Sequence, residues 1–466
     1  MTSCTLNRGA TDLAQKGGTL DLYHWEEIGR NGDYIGPELR LWQKEALWNW
    51  DEKDNRGVVE AITGTGKSLV GVAAIRQVLA EGGCALILVP TSALLEQWFR
   101  NLTKQLPRSK VGKLTGGHHA DFNSSNVIVS TVQTACKQQP KPKSLALLVA
   151  DEAHRYGAAQ FSKALNPEYN RRLALSGTYE RQQDDGVEKY LTPYFGDIVY
   201  TYEYGRALED DVVSPFNLAL VATEFTAQER HEYDRESEKC RKAQTFLVRQ
   251  MGYPQEWPEF FARVQTRLKD NFRDKESFYC RQYVEGFAHR RSIMAEAKGK
   301  EEVLASIRDS LASSSGTLVF TETKESARRL AYIASQATTA MPLTGDDNTK
   351  ERELRLKEFG TGSLKVLCTP RILDEGIDVP EAELAIIIAA SKSKRQMIQR
   401  MGRVIRKKNP PRPAKILITY VKGTSEDPID GGGHEGFLAE VEPHALELSL
   451  FSSKNPTAIS NWLDLK

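Results

Sequence analysis

The sequence predicts an α/β protein: two parallel-sheet domains in tandem with a helical insertion between them. Two series of short apolar runs, and the stretch that separates them, carry this reading. The first series is Gly57–Ile62, Ala85–Val89, Val127–Ser130, Leu145–Ala150 and Leu173–Leu175, with helical periodicity over Ser68–Leu79 and Ser92–Gln105. Near-continuous apolar strands alternating with helices indicate a parallel sheet covered on both faces. The second series starts near Gly316, with Thr317–Thr321, Leu364–Thr369, Leu384–Ala390 and Lys415–Tyr420. Between them, from Thr226 to Ile307, charged and aromatic residues dominate and no buried-strand run occurs, so the stretch reads as helical. The expected division is an N-terminal extension over 1–36, a first half over 37–225, the insertion over 226–307, a second half over 308–424 and a tail over 425–466. The tail is loop-like around Gly431-Gly432-Gly433 and then gives one apolar stretch, Phe437–Phe451.

Composition bounds the function. A chain of 466 residues is long enough for two or three domains. Lys and Arg number 63 against 62 Asp and Glu, which excludes a binder that works by bulk charge but leaves room for a local basic groove. The six cysteines lie far apart with no C-x-x-C, which argues against a zinc or iron–sulfur site and against a disulfide scaffold. Reduced, buried thiols in a cytoplasmic protein are the expectation. No apolar run approaches 18 residues and Met1–Gly18 has no apolar core, so neither a membrane span nor a secretory signal is expected. His118 and His119 form a pair with no further metal ligand in evidence.

The first strand, Gly57–Ile62, runs into Thr63-Gly64-Thr65-Gly66-Lys67-Ser68 and then a helix. Glycines let backbone N–H groups turn inward around phosphate oxygens, and the helix N-terminus adds partial positive charge. Lys67 is placed to reach the outer phosphates and Ser68 to ligate Mg²⁺. Ala61 stands where the full phosphate-loop pattern has its first glycine. A second signal is the run Leu147–Ala150 ending in Asp151-Glu152-Ala153-His154. Carboxylates at the end of a buried parallel strand face the ligand crevice of an α/β sheet. Asp151 is expected to hold Mg²⁺, and Glu152 to orient and deprotonate an attacking water.

The order of these motifs resembles a superfamily 2 helicase or translocase from about Leu39 to Gly423. Arg40 and Gln43 fall in a segment similar to the family's adenine-reading glutamine motif. Val89-Pro90-Thr91 with Leu95-Glu96-Gln97-Trp98, then Leu114-Thr115-Gly116-Gly117, then Val129-Ser130-Thr131 resemble motifs Ia, Ib and Ic. Ser176-Gly177-Thr178 resembles motif III, with Tyr179 in place of the usual proline. Val319-Phe320-Thr321 resembles motif IV, Thr369 with Glu375–Pro380 motif V, and Gln399–Arg406 motif VI.

The resemblance implies two RecA-like domains that bind ATP and Mg²⁺ and hydrolyse ATP. It makes Arg403 and Arg406 arginine fingers, Gln399 a contact to the γ-phosphate or its water, and Asp378 a contact to the nucleotide sugar. His154, Ser176 and Thr178 take coupling roles. Pro90, Thr91, Thr131, Phe320 and Thr369 become nucleic-acid contacts, which position the strand rather than read it.

Among branches, the compact layout resembles the XPB-like DNA helicases and small phage DNA helicases, so DNA is expected before RNA. Leu39-Arg40-x-x-Gln43, Glu375-Gly376-Ile377-Asp378 and the late Gly423-Thr424-Ser425-Glu426 fit that group. The insertion interleaves bases and aromatics, and Arg263, Arg267 and Arg273 are expected to track phosphates there, in a thumb-like role. The alternative at each position is that the aromatics pack helices and the charges are solvated. Three activities stay open: a DNA helicase, a double-strand translocase that does not unwind, and a nucleic-acid-sensing ATPase within a repair or defence assembly of several proteins.

Overall fold

The computed structural model describes residues 34–179, 185–269, 273–370, 380, 382–388, 413–428, 438 and 441–464. The chain divides into two compact units, each built on its own sheet.

In chain order the first sheet and its helices are α1 (Leu41–Asp51), β1 (Arg56–Ala61), α2 (Lys67–Ala80), β2 (Cys84–Val89), α3 (Ser92–Gln105), β3 (Val111–Thr115), β4 (His118–His119), β5 (Val127–Thr131), β6 (Ala146–Asp151), β7 (Arg171–Ser176) and β8 (Ile198–Tyr202). The eight strands lie in the order β4-β3-β5-β2-β6-β7-β1-β8. β2 pairs in parallel with both β5 and β6, and all three are buried at every position. That double-sided burial is why they read as continuous apolar runs. Helix α3 buries Leu94, Leu95, Trp98 and Leu102, one stripe at three- and four-residue spacing, and is capped by the Thr91 hydroxyl, which accepts from the Leu94 N–H at 3.3 Å.

The second unit contains β9 (Phe216–Thr223), α4 (Ala227–Met251), α5 (Trp257–Lys269), α6 (Lys275–Ala295), α7 (Lys298–Ser306), β10 (Thr317–Phe320), α8 (Lys324–Ser335), β11 (Ala340–Pro342), β12 (Val366–Thr369), β13 (Leu384–Ile387), β14 (Ala414–Val421), β15 (Glu447–Ser452) and α9 (Pro456–Asp464). Its order is β11-β12-β10-β13-β14-β9-β15, with parallel pairing at each step. The core beneath it gathers Val303 and Leu304 of α7, Leu330 of α8, Val319, Cys368, Ile386 and Leu417 of the strands, and Trp462 of α9.

The predicted fold class is therefore the observed one, two parallel α/β sheets with helices between, but two segments are placed differently from the sequence reading. Phe216–Thr223, expected with the first half, is a strand of the second sheet, held by parallel ladders to β14 and β15. Part of the tail is likewise sheet: β15 is the edge strand, and α9 packs behind it through Phe451 and Trp462, whose rings are 6.3 Å apart.

Helices α4 to α6 form the insertion. Thr226 and Glu229 cap the start of α4 reciprocally, and Gly252 ends it in a left-handed turn. Cys240, Leu247, Tyr253, Phe260, Val264, Cys280 and Tyr283 make its core. Cys84, Cys240, Cys280 and Cys368 are buried free thiols, and no described helix is long and apolar enough to cross a membrane.

Candidate active site

The phosphate loop leaves β1 through Gly64 and Gly66, whose φ angles are +94° and +93°. A side chain there is disfavoured by contact with its own backbone, so the turn needs glycine. The buried Thr65 hydroxyl donates to the Ile62 carbonyl at 2.8 Å and ties the loop to the strand it left. α2 begins at Lys67, which is 8% exposed. Its ammonium makes no hydrogen bond in the described structure and meets charge at Glu152 Oε1, 3.8 Å away. A buried ammonium so weakly served is costly unless an anion joins it, so the loop fits a phosphate. Ser68 follows, half-buried.

β6 ends on Asp151, whose carboxylate is enclosed. Trp98 Nε1 donates to Oδ2 at 2.7 Å, and the Glu152 N–H donates to Oδ1 at 3.0 Å. Burial, reinforced by the neighbouring Glu152 charge, pushes its pKa up to about 6, while Lys67 and the Trp98 bond pull the other way. A carboxylate in that setting suits a divalent cation, which restores the charge balance that burial disfavours.

Glu152 has φ 53° and ψ 48°, the left-handed region. The other non-glycine residues with positive φ among those described are Asp54, Asn55 and Asp211, types that tolerate it. A glutamate held there is a local cost that the surroundings stabilise. Tyr156 supplies part of that support: its buried hydroxyl lies 2.7 Å from the Asp151 carbonyl oxygen and 2.9 Å from that of Leu88. Burial pushes the Tyr156 phenol well above its usual range, so it stays a donor. The turn aims the Glu152 carboxylate at Lys67 and at the buried His154, whose Nδ1 is 3.6 Å from Oε2.

The structure thus brings Lys67, Asp151, Glu152 and His154 together. Gln43 is buried and accepts the Arg40 N–H at 2.8 Å, while Arg40 itself is exposed. The Ser176 hydroxyl donates to the Thr178 carbonyl at 2.6 Å, and the Tyr179 N–H donates to Glu60 Oε1 at 2.7 Å. Pro90, Thr91 and Thr131 stand at the ends of the paired strands β2 and β5; the Pro90 carbonyl accepts from Gln133 Nε2 at 3.4 Å, and Thr131 Oγ1 is 3.0 Å from Thr134 Oγ1. In the second sheet Phe320 and Thr369 are register partners, but their side chains are 1% and 0% exposed, and the Thr369 hydroxyl donates to the Pro370 carbonyl. Their backbone carbonyls are taken as well, accepting from the N–H groups of Ile388 at 3.0 Å and Thr321 at 2.9 Å. Thr63 is half-buried beside the loop. Asp378, Gln399, Arg403 and Arg406 lie outside the described residues.

Two of the three insertion arginines expected to track phosphates, Arg263 and Arg267, are engaged by the protein's own groups. Arg263 donates to the carbonyls of Gly252 at 2.9 Å and Met251 at 3.4 Å and stacks on Tyr253, so it closes the C-terminus of α4. Arg267 pairs with Asp274 and with Glu276, the latter at 3.3 Å. Arg273 is exposed. The aromatics behave similarly: Phe246 stacks on Tyr279 at 4.0 Å, and Tyr253, Phe260 and Tyr283 are core. Sequence showed the bases but not the carbonyls and carboxylates that occupy two of them. It also missed the roles of Trp98 and Tyr156; an indole one helix after a strand end was the available signal.

A positive-φ glycine turn, a buried lysine and a strand-end acidic pair on a parallel sheet define a phosphate-loop nucleotide hydrolase, here with a second sheet in the same chain. Residues 36–181 match the family model described as Type III restriction enzyme, res subunit, and residues 299–408 match the helicase conserved C-terminal domain. The chain belongs to the superfamily 2 helicases, a family of ATP-hydrolysing enzymes. It is 28% identical over 393 residues to the DNA 3'-5' translocase XPB2 of Sulfurisphaera tokodaii, covering 84% of this chain and 83% of that one. It is 24% identical over 418 residues to the DNA 3'-5' helicase XPB of Kineococcus radiotolerans, covering 87% and 63%. Against two haloarchaeal relatives the chain spans only 55% of their length. The fold is similar to the helicase domain of Pyrococcus furiosus Hef, with TM-score 0.53, 18% identity and coverage of 84% and 97%. It is similar also to Saccharomyces cerevisiae Dbp5, with TM-score 0.53, 15% identity and coverage of 96% and 97%.

Proposed function

We propose that this chain is an ATP-dependent DNA helicase that couples Mg–ATP hydrolysis to movement along DNA and strand separation. The juxtaposition of Lys67 with Glu152, at the end of a strand that also carries Asp151, supports the chemistry. The names of the long-coverage relatives support DNA as the track.

In this reading the loop from Thr63 to Lys67 holds the phosphates, and Arg40 with Gln43 holds the base. Ser68 and Asp151 hold Mg²⁺, which when bound supplies charge neutralisation at the phosphates. Glu152 orients the attacking water and takes its proton. Gln399, Arg403 and Arg406 supply the remaining polar and positive contacts, and Asp378 the sugar contact. His154, Ser176 and Thr178 relay the nucleotide state. DNA is held at Pro90, Thr91 and Thr131, and a contact at Phe320 and Thr369 requires those buried residues to become exposed. The domains are 37–225, 226–307 and 308–424, except that β9 (Phe216–Thr223) belongs with the sheet of the last of these.

ATPase rates measured in parallel with single-strand, duplex and forked DNA and with RNA test this. Stimulation by forked or single-strand DNA, with fork unwinding, is the expected outcome; stimulation by RNA alone sinks the DNA assignment. The translocase name of one relative favours a second reading, movement on duplex without unwinding. Triplex displacement without fork opening selects it. Activity that appears only with an added partner selects a sensing ATPase within a repair or defence assembly.

A further inference from the structure

Trp98 lies on the buried stripe of α3 and is 2% exposed. Two observations give it a place in the nucleotide site. Its indole N–H donates to Asp151 Oδ2 at 2.7 Å, a charge-assisted bond in an enclosed setting. Its far edge lies against α2 at Gly71, one turn beyond Lys67: a β-carbon on Gly71 would sit 2.9 Å from Trp98 Cη2. The glycine at that point of the phosphate-loop helix is therefore space taken by the indole. With Oδ1 bonded to the Glu152 N–H, both carboxylate oxygens are oriented by named donors, one of them on a different helix.

We infer that Trp98 is a positioning residue through which α3 sets the Asp151 carboxylate. Thr91 caps helix α3, so a displacement of the helix's first turn is carried by a rigid aromatic plate to the carboxylate and to α2 together. An outer partner that orients a metal-holding carboxylate is worth about 10–100-fold in metal affinity or activity. This inference rests on the assignment of Asp151 to Mg²⁺.

The test uses the full chain. Trp98→Phe keeps most of the packing and removes the N–H. ADP binding is measured by calorimetry with and without Mg²⁺, and ATPase with and without DNA. Leu102→Ala, a packing change on the same stripe, is the control for simple loss of stability. For Trp98→Phe we expect the Mg²⁺-dependent gain in ADP affinity to fall about tenfold or more, Mg²⁺-free affinity to stay within about twofold, and the ratio of DNA-stimulated to basal turnover to fall. Leu102→Ala should lower the melting temperature and leave both ratios unchanged. A folded Trp98→Phe chain in which either ratio is unchanged overturns the inference, as does an equal loss in Leu102→Ala. Asp151→Asn separates the two layers. If it retains the full Mg²⁺ gain, the Asp151 assignment fails and Trp98 falls with it. If it loses the gain while Trp98→Phe keeps it, only the Trp98 inference falls.

Discussion

Lys300 and Glu426 form a buried ion pair, Nζ to Oε2 2.6 Å, with the lysine side chain wholly enclosed. Lys300 lies in the first turn of α7, and Glu426 belongs to the turn after β14. That turn is gripped from the insertion as well: Arg230 donates to the carbonyls of Lys422 and Gly423, and the Ser425 N–H donates to the Tyr233 hydroxyl at 3.2 Å. The Gly423-Thr424-Ser425-Glu426 run is therefore a clasp between the end of β14 and the base of the helices.

Removing one partner strands the other charge in the interior. Lys300→Ala is expected to cost about 3–5 kcal/mol, whereas Lys300→Met with Glu426→Leu should recover most of it. Denaturant unfolding of the three chains checks this; equal stability of the single and double variants would contradict the clasp.

Glu152 combines a chemical role with an unfavourable backbone. Glu152→Gln should retain nucleotide binding and lose hydrolysis, because shape is kept and the base is gone. Glu152→Ala and Glu152→Gly should both lose hydrolysis and the carboxylate's pairing with Lys67, and the glycine chain should be the more stable of the two by about 1 kcal/mol, the usual left-handed cost of a side chain. Nucleotide titration, turnover and melting curves decide. A Glu152→Gly chain no more stable than Glu152→Ala counts against the strain.

Asp151 gives a pH signature. Its folded carboxyl, at about 6, holds a proton more tightly than an unfolded aspartate near 3.9. The folded state therefore carries an unfavourable charge above pH 6 and regains stability as pH falls toward 4. Asp151→Asn removes this term. Without Mg²⁺ it should exceed the parent in stability above pH 6 by at most about 3 kcal/mol, from roughly two pKa units, with the gap closing near pH 4. Urea melts from pH 4 to 8 test the sign.

In the insertion, Arg263→Ala should lower stability by about 1–2 kcal/mol, since it uncaps α4 and unstacks Tyr253. It should leave the salt dependence of DNA binding unchanged. Arg273→Ala, at an exposed position, should do the reverse, reducing the log–log salt slope by about 0.9. Binding curves at several salt concentrations distinguish the two arginines.

Arg403→Ala tests the finger role that the motif resemblance gives it. A finger acts in the transition state, so DNA-stimulated kcat should drop about 10³–10⁵-fold while ATP affinity changes far less. A comparable fall in affinity would make Arg403 an ordinary binding residue.

How much of this was legible in the sequence depends on how local each signal is. β2, β5 and β6 announce themselves because burial on both faces leaves nothing but apolar residues. β15 does not: as an edge strand it leaves Leu448 and Leu450 exposed, and its run reads as one apolar stretch of no fixed class. β9 is apolar enough to see, but its partner strands are 198 and 230 residues downstream, and no local pattern names a partner. Lys67, Asp151 and Glu152 were legible as types at fixed places on a strand and a helix. Trp98 was visible only as a letter in a motif, because its acceptor lies 53 residues away in the chain. Arg263 shows the converse, a charge whose partners are backbone carbonyls that no sequence displays.

The position of β9 also sets an order of assembly. It leaves the ribosome before α4, yet both strands that flank it, β14 and β15, are among the last to be made. At about 5–20 residues per second, a strand with two open edges waits for roughly ten seconds or more before its neighbours exist. Unpaired strand edges invite pairing with other chains. The nascent protein therefore passes through an interval in which the first sheet has all its strands and the second has an unfilled slot on each side of β9. Chaperone demand, and loss to aggregation on overexpression, should concentrate in that interval, and a stop codon placed before residue 447 would make it permanent for the outer slot.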